Sequence, residues 1–380
     1  MKAICIDDEQ LALEYLKRQI MKLNGIEVIG TFIHPIEGKE HILTEEVDVI
    51  FLDIHLPEIN GIELAEQIIN EKPDLIVVFV TAYDQYAVKA FELNALDYLV
   101  KPVKLDRLRL TLDRVRKQLN VKEEKKPELN HLQIKVSNYL SFQVEPDIFK
   151  PIPWRTSKTQ ELFLYLLQNH GKLVEKSTLM ELLWEVYELE KGYSLLYTTV
   201  YNVRKALRPF NDHIVLHNTT DGYLLELKSV SIDLFEWEKS LTALPELNYS
   251  TVKSYEEVMR LNKEPYLLNH DYVWLEAERH RMESIWLKTA NRIATFYEMN
   301  NEGNDAIKWY KNICERYQEH EEAHFSLMKL YAKMGDSKLV TKQYRNLTKV
   351  LAEELSIEPS NYIKEWYEQN IIRRVNNNHP

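Results

Sequence analysis

Five short apolar runs, "KAICID", "EVIGTF", "VDVIFLD", "LIVVFVTA" and "ALDYLVKP", alternate with amphipathic stretches over residues 1–118. The stretches include "EQLALEYLKRQIMKL", "GIELAEQIINE", "QYAVKAFELN" and "KLDRLRLTLDRVRKQL". Such alternation restricts a chain to strand–helix–strand units, and therefore to a parallel sheet with helices on both faces. In sheets of that kind, chemistry gathers at the carboxyl ends of the strands. The polar residues fall there: Asp7 and Asp8 end the first run, Asp53 the third, Thr81 the fourth and Lys101 the fifth.

Three clustered carboxylates repel one another, so the set calls for a cation, and a hard, oxygen-seeking ion such as Mg²⁺ suits it. A carboxylate beside Mg²⁺ can attack a phosphoryl group and form an aspartyl phosphate. The ion, the Lys101 ammonium and the Thr81 hydroxyl then neutralise the three phosphoryl oxygens. A strand-end aspartate by itself often does no more than cap a helix. The full set, closed by Lys101-Pro102 after an apolar strand, is what points to phosphoryl chemistry.

The segments "IDDEQ", "FLDIHLPEINGIEL", "FVTAYD" and "DYLVKP" resemble, as a correctly spaced set, the receiver domain of two-component response regulators. The resemblance implies a flavodoxin-like α/β fold, with Asp53 as phosphoacceptor and a sensor histidine kinase as donor. It implies that Asp8, Asp53 and the His55 backbone carbonyl bind Mg²⁺, with Asp7 assisting through water. Thr81 and Tyr98 match the switch pair of that family, which alters the face built from "QYAVKAFEL", "DYLV" and the following helix. The plainer alternative for Tyr98 is a half-buried strand aromatic. His55 and Tyr83 occupy positions that influence autodephosphorylation in that family. Phosphoryl acceptance and autodephosphorylation are the only chemistry expected, because the chain has no Gly-rich phosphate loop and only 9 glycines.

The formal net charge is -11, but it is unevenly distributed over the 380 residues. Residues 1–120 carry 14 basic and 21 acidic side chains, and residues 231–380 carry 20 and 24. Residues 151–230 balance at 9 and 9, and no acid occurs between Glu190 and Asp212. A hydrophobic content of 45 % supports packed cores. The longest apolar stretch, "LIVVFV", is far below the roughly 20 residues needed to span a bilayer, so no membrane role is expected. "MKAICIDDEQ" has no signal-peptide layout. The isolated Cys5 and Cys314 read as buried reduced thiols, which fits a cytoplasmic protein.

"VKEEKKPELN" has mixed charge and no apolar period, and reads as a linker. "HLQIKV", "YLSFQV" and "FKPIPW" follow as short strands. Three helical patterns come next, "SKTQELFLYLLQNH", "KSTLMELLW" and "YSLLYTTVYNVRKAL", the first two with Ser157 and Ser177 as candidate N-caps. "HIVLHNTTDGYLLEL" then reads as a hairpin turning at Asp221-Gly222. Three helices and a hairpin make a winged helix-turn-helix, whose recognition helix enters the DNA major groove. In "SLLYTTVYNVRKALRP" the stripe Leu196, Val200, Val203 and Leu207 faces the core. The opposite face presents Thr198, Tyr201, Asn202 and Lys205 to bases, with Arg204 and Arg208 placed to clamp phosphates. His217, Asn218 and Thr219 on the wing are candidates for backbone or minor-groove contact, or simply a solvated turn. "WRTSKTQELFLYLL" from Trp154, "YTTVYNVRKALRP" and "TTDGYLLEL" resemble the winged-helix effector of response regulators, in the antibiotic-regulatory-protein variant. The domain's neutrality argues for two or more copies, a homodimer on repeated half-sites, rather than one tightly bound monomer.

The last third reads as all helical. Ile293, Phe296, Tyr297, Ala306, Tyr310 and Ile313 return 34 residues later as Leu327, Leu330, Tyr331, Val340, Tyr344 and Leu347. That period is the tetratricopeptide period, in which each helix pair is buried by its neighbours. "HDYVWLEAERHRM" and "LAEELSIEPSN" resemble the bacterial transcriptional activation domain that accompanies this winged-helix variant. The resemblance implies self-association or contact with the transcription machinery, including RNA polymerase. His270, His280, His320 and His324 have no metal-ligand spacing.

The expected layout is therefore multidomain. A receiver over 1–118 and a linker over 119–130 precede a winged helix-turn-helix (α+β) over 131–229 and tetratricopeptide-like helices over 230–380. The expected function is a DNA-binding response regulator in which phosphorylation of Asp53 controls transcription from double-stranded DNA. The alternative is a phospho-switched adaptor whose winged helix and helical repeats bind proteins.

Overall fold

The structure, a computed structural model, describes residues 1–72, 74–82, 97–120, 130–184 and 189–372. The expected helix "QYAVKAFELN", Tyr83 and most of the "VKEEKKPELN" linker lie outside the described residues. The chain divides into two compact units, one of residues 1–133 and 142–230, the other of 134–141 and 231–380.

In the first unit, β1 (Lys2–Ile6), β2 (Glu27–Phe32), β3 (Val49–Leu52), β4 (Ile76–Thr81) and β5 (Asp97–Val100) form one sheet in the order β2-β1-β3-β4-β5. Every strand pair in it is parallel. "VIFL" and "IVVFVT" are continuously apolar up to Thr81 because both faces of these strands are buried. Side-chain alternation sorts the sheet into two cores. Ala3, Cys5, Phe51, Val78, Val80 and Leu99 face α1 (Gln10–Ile20), where Leu13, Leu16 and Ile20 answer them at helical spacing. Ile4, Ile6, Ile50, Leu52, Val77, Phe79 and Tyr98 face the other way, toward α2 (Pro35–Thr44) and α3 (Gly61–Glu71). The helix α4 (Leu105–Asn120) closes the first face with Leu108, Leu112 and Val115.

β6 (Leu132–Lys135) follows, and then β7 (Ser141–Glu145) and β8 (Ile148–Lys150) pair antiparallel. The next elements are α5 (Ser157–Gln168), β9 (Leu173–Glu175), α6 (Lys176–Trp184) and α7 (Leu189–Leu207). β10 (Ile214–Asn218) and β11 (Gly222–Leu227) pair antiparallel, with β9 on the far edge of β11. This is the three-helix and wing layout of a winged helix-turn-helix. Two capping expectations are corrected. Thr156, not Ser157, caps α5, its Oγ1 accepting from the Thr159 N–H at 3.2 Å. Ser177 lies inside α6, which begins at Lys176 directly after β9, and its hydroxyl turns back to Glu175.

The second unit begins after β12 (Val230–Ile232) with α8 (Asp233–Thr242) and α9 (Val252–Met259). α10 (Val273–Met299), α11 (Gly303–Arg316), α12 (Glu321–Lys333), α13 (Ser337–Val350) and α14 (Asn361–Tyr367) follow. The helix pair α10–α11 repeats as α12–α13, and α13 starts 34 residues after α11. Ile293, Ala306 and Ile313, with their counterparts Leu327, Val340 and Leu347, are all in its core. Residues 134–141, expected with the winged helix, group instead with this unit. Asp233 accepts from the Val136 and Ser137 N–H groups, and Asn138 donates to the Pro265 carbonyl at 2.8 Å. No helix among the described residues is long and apolar enough to cross a membrane.

Candidate functional site

The parallel register lines up the carboxyl ends of four strands: Ile6 pairs with Leu52, Leu52 with Phe79, and Thr81 with Val100. The residues just beyond are held by backbone hydrogen bonds, Asp53 N to Ile6 O at 2.9 Å and Lys101 N to Thr81 O at 2.8 Å. Asp7, Asp53, Thr81 and Lys101 thereby converge although they are far apart in sequence. Lys101 Nζ donates to Asp53 Oδ2 at 2.6 Å and to Asp7 Oδ1 at 2.9 Å. Asp7 and Asp53 are buried and Asp8 is exposed, yet each offers a carboxylate oxygen within 4.8 Å of the others.

The electrostatics follow from burial. Burial pushes the Asp7 carboxyl above its ordinary value, and the hydrogen bond from Lys101 only partly opposes this. Burial also works against the Lys101 ammonium, but hydrogen bonds to Asp53 and Asp7 outweigh it and raise the group. One ammonium thus faces three carboxylates, which leaves net negative charge among oxygen ligands, a donor set that fits a hard divalent ion. Thr81 Oγ1 is fully buried and has no hydrogen-bond partner among the described residues. An orphaned buried hydroxyl is costly, and here it lies at the same end of the sheet as the carboxylates.

Local sequence explains how Asp53 is held. His55 N–H reaches back to Asp53 Oδ1 at 3.3 Å, and the Asn60 side chain caps α3 by accepting from the Ile62 N–H. α3 begins so close to the acid loop that a Cβ at Gly61 would sit 1.9 Å from the Asp53 carbonyl oxygen. Only glycine fits there. Tyr98, opposite Phe79 in register, is buried in the α3-side core.

Sequence reasoning missed two features of this unit. Asp97 is clamped by Arg107, Thr111 and Arg114 from α4. Burial pushes its carboxyl up, but the hydrogen bonds from Arg107 and Thr111 prevail and hold it below its ordinary value. Arg107, Thr111 and Arg114 recur at helical spacing, which was the available signal. The second is Glu66 on α3, 2 % exposed, whose Oε1 lies 3.8 Å from Arg204 Nη1 on α7.

That contact corrects the reading of α7. Leu196, Val200, Val203 and Leu207 are buried as expected from the stripe, but Thr198, Tyr201 and Asn202 are buried as well. Thr198 and Tyr201 line a pocket with Ile62, Ala65 and Glu66 of α3. Arg204 and Arg208 are half-buried, and Arg204 donates to the Leu216 carbonyl. Of the six expected DNA contacts, Lys205 is the exposed one. Helical periodicity separated the two faces correctly but could not show that both are covered. On the wing, His217 hydrogen-bonds Glu226 across the hairpin at 2.8 Å.

Comparison with known proteins divides the chain along these lines. The family model of the response regulator receiver domain matches residues 3–113, and that of the bacterial transcriptional activator domain matches residues 248–370. An uncharacterized response regulatory protein of Vibrio cholerae is 49 % identical over 119 residues, covering 31 % of this chain and 49 % of that protein. The sensory transduction protein LytT of Bacillus cereus is 36 % identical over 149 residues, 39 % of this chain and 61 % of its own. Among solved structures, Mycobacterium tuberculosis EmbR in complex with a low affinity phosphopeptide aligns over 64 % of this chain and 65 % of its own. That alignment has 18 % identity and a TM-score of 0.45. The chain spans about half the length of the first curated relatives it matches.

Proposed function

We propose that this chain, a response regulator by its receiver domain and a bearer of the bacterial transcriptional activator domain, is a phosphorylation-controlled transcription factor of the cytoplasm. A sensor histidine kinase donates the phosphoryl group. The Asp53 Oδ–P bond forms as the histidine N–P bond breaks, and water later cleaves the acyl phosphate. Asp7, Asp8 and Asp53, with the His55 carbonyl, hold Mg²⁺, which supplies charge neutralisation for the transferred group. Lys101 and the Thr81 hydroxyl take phosphoryl oxygens, and Tyr98 follows Thr81 as the second half of the switch. No other enzymatic activity is assigned. The winged helix binds double-stranded DNA through α7, a homodimer occupies repeated half-sites, and the helical repeats contact one another or RNA polymerase.

The observation that carries this reading is the convergence of Lys101, Asp7 and Asp53 at the strand ends beside a buried Thr81 hydroxyl that has no partner among the described residues. The adaptor reading draws support from the neutral winged helix and from burial of α7 against protein. Footprinting the promoter of the protein's own operon with and without acetyl phosphate, for wild type and Asp53→Asn, separates the two. Protection that depends on the donor and on Asp53 is expected. Absence of protection in every state would overturn the transcription-factor reading.

A further inference from the structure

Part of the face of α7 expected to read DNA is covered, and what covers Tyr197, Thr198 and Tyr201 belongs to the receiver. Ile62, Ala65, Glu66 and Ile69 of α3 line one pocket with Tyr197, Thr198 and Tyr201 of α7. Tyr197 and Tyr201 belong to the same apolar core as Phe79 and Tyr98 of the receiver sheet.

Glu66 is out of place in an apolar contact of this kind. It is 2 % exposed. Its compensation comes chiefly from charge, with the Tyr223 hydroxyl adding to it. Arg204 Nη1 lies 3.8 Å from Oε1, with the guanidinium oriented by a hydrogen bond to the Leu216 carbonyl. Lys176 at the start of α6 adds a second positive charge, its ammonium held 5.3 Å and 5.9 Å over the rings of Tyr197 and Tyr223. Buried cations on a helix-turn-helix, aimed at an anion beside the reading face, form the kind of site a DNA backbone phosphate occupies.

We infer that α3 of the receiver is a built-in competitor of DNA. Glu66 takes the place of a backbone phosphate on Arg204 and Lys176, while Ile62, Ala65 and Ile69 cover Thr198 and Tyr201. The inference rests on the DNA-binding reading and adds which surface blocks it and through which anion site. α3 and DNA cannot occupy this face together, so apparent DNA affinity equals the intrinsic affinity multiplied by the fraction of molecules in which the contact is open.

The test uses the full-length protein and a long mixed-sequence DNA duplex at low salt, where phosphate contacts dominate binding. Glu66→Arg sets a like charge against Arg204 and Lys176 and opens the contact; Glu66→Gln keeps the shape and leaves it closed. Glu66→Arg is expected to bind DNA roughly tenfold or more tightly than wild type, and the amides of residues 195–207 to exchange faster with solvent. Adding Arg204→Ala to Glu66→Arg should reverse the gain in affinity while leaving exchange fast. Tyr197→Ala weakens the same contact from the winged-helix side and should move both readouts as Glu66→Arg does, which guards against misfolding of that one variant. If exchange rises but no variant binds DNA, the DNA-binding reading fails and the competition falls with it. If wild type and both opened variants bind DNA equally, DNA binding stands and the competition is overturned.

Discussion

Removing the Lys101 ammonium tests the logic of the acidic site more directly than removing any one acid. Its Nζ lies 2.6 Å from Asp53 Oδ2 and 2.8 Å from Asp7 Oδ2, with side-chain exposures of 15 %, 7 % and 4 % for the lysine, Asp53 and Asp7. At such separations and an effective dielectric near 20, each attraction is worth about 6 kcal/mol before desolvation. Most of this offsets the cost of taking the charges out of water, and breaking a buried pair from one side costs about 3–5 kcal/mol net. Lys101→Ala should therefore destabilise the first unit by roughly 3 kcal/mol, lowering its melting temperature by about 6–12 °C.

Two further readouts distinguish this from a simple packing loss. The variant leaves Asp7 and Asp53 facing each other without a cation, so millimolar Mg²⁺ should restore more stability to it than to wild type. Its pH dependence also has a definite sign. Asp7 is already raised above its ordinary value in the folded protein and rises further without the ammonium. A carboxyl raised on folding binds its proton more tightly in the native state, so the variant gains stability as pH falls through the folded value and loses it as pH rises. Thermal melts at acid and neutral pH, with EDTA or with Mg²⁺, measure all three effects. A melting temperature equal to wild type, or one indifferent to Mg²⁺ in both proteins, would refute the argument that Lys101 is the site's internal counter-cation.

Gly61→Ala should cost about 2–3 kcal/mol or more and abolish labelling of Asp53 by acetyl phosphate, because the new Cβ would press on the Asp53 carbonyl. Urea unfolding and phosphoryl transfer read the two losses. Burial pushes Glu66 up to about 7, despite lowering by Arg204, the Tyr223 hydroxyl and Lys176, with Glu63 raising it further. The closed contact should therefore bind a proton and tighten by roughly 3 kcal/mol as pH falls from above 7 toward 5, and loosen as pH rises. Exchange of the α7 amides measures this, and Glu66→Gln should flatten the dependence. Arg279 donates to the carbonyls of Tyr266, Leu267 and His270, so Arg279→Ala should cost the second unit about 3 kcal/mol and speed exchange of residues 266–272. Retained protection there would show that the loop holds itself.

What the sequence disclosed divides according to how local the physics is. Strand-end acids are legible because a parallel sheet sends every strand's carboxyl end to one edge, so Asp7, Asp53, Thr81 and Lys101 had only one place to meet. The repeat in α10–α13 was legible because each copy needs the same apolar spacing to be buried by the next. Capping was less so: Thr156 and Ser157 are both good caps, and only the backbone decides between them. The grouping of residues 134–141 with the helical unit depends on Asp233 and Pro265, about a hundred and more positions away, which no window of sequence reveals. The role of Arg279 inside "WLEAER" was hidden for a related reason, since its partners are backbone carbonyls and leave no signature in side-chain identity.

The misreading of α7 has a different cause. Amphipathicity says which face a helix buries first, and says nothing about whether a second domain covers the other face. The sequence of the covered face nonetheless explains why the contact can open. A permanent interface would be apolar, whereas this one buries Thr198 and the Glu66 carboxylate. The buried Glu66 carboxylate reduces the stability of the closed form by roughly 1–3 kcal/mol relative to a well-packed apolar residue. Moving an equilibrium from about 1:99 to 99:1 takes about 5.5 kcal/mol, so a closed state weakened in this way stays within reach of the proposed phosphorylation of Asp53. Tyr98, proposed as the second half of the switch, lies in the same core as Tyr197 and Tyr201. If α7 reads DNA as proposed, the buried Glu66 carboxylate keeps it available by preventing the receiver from holding it too tightly.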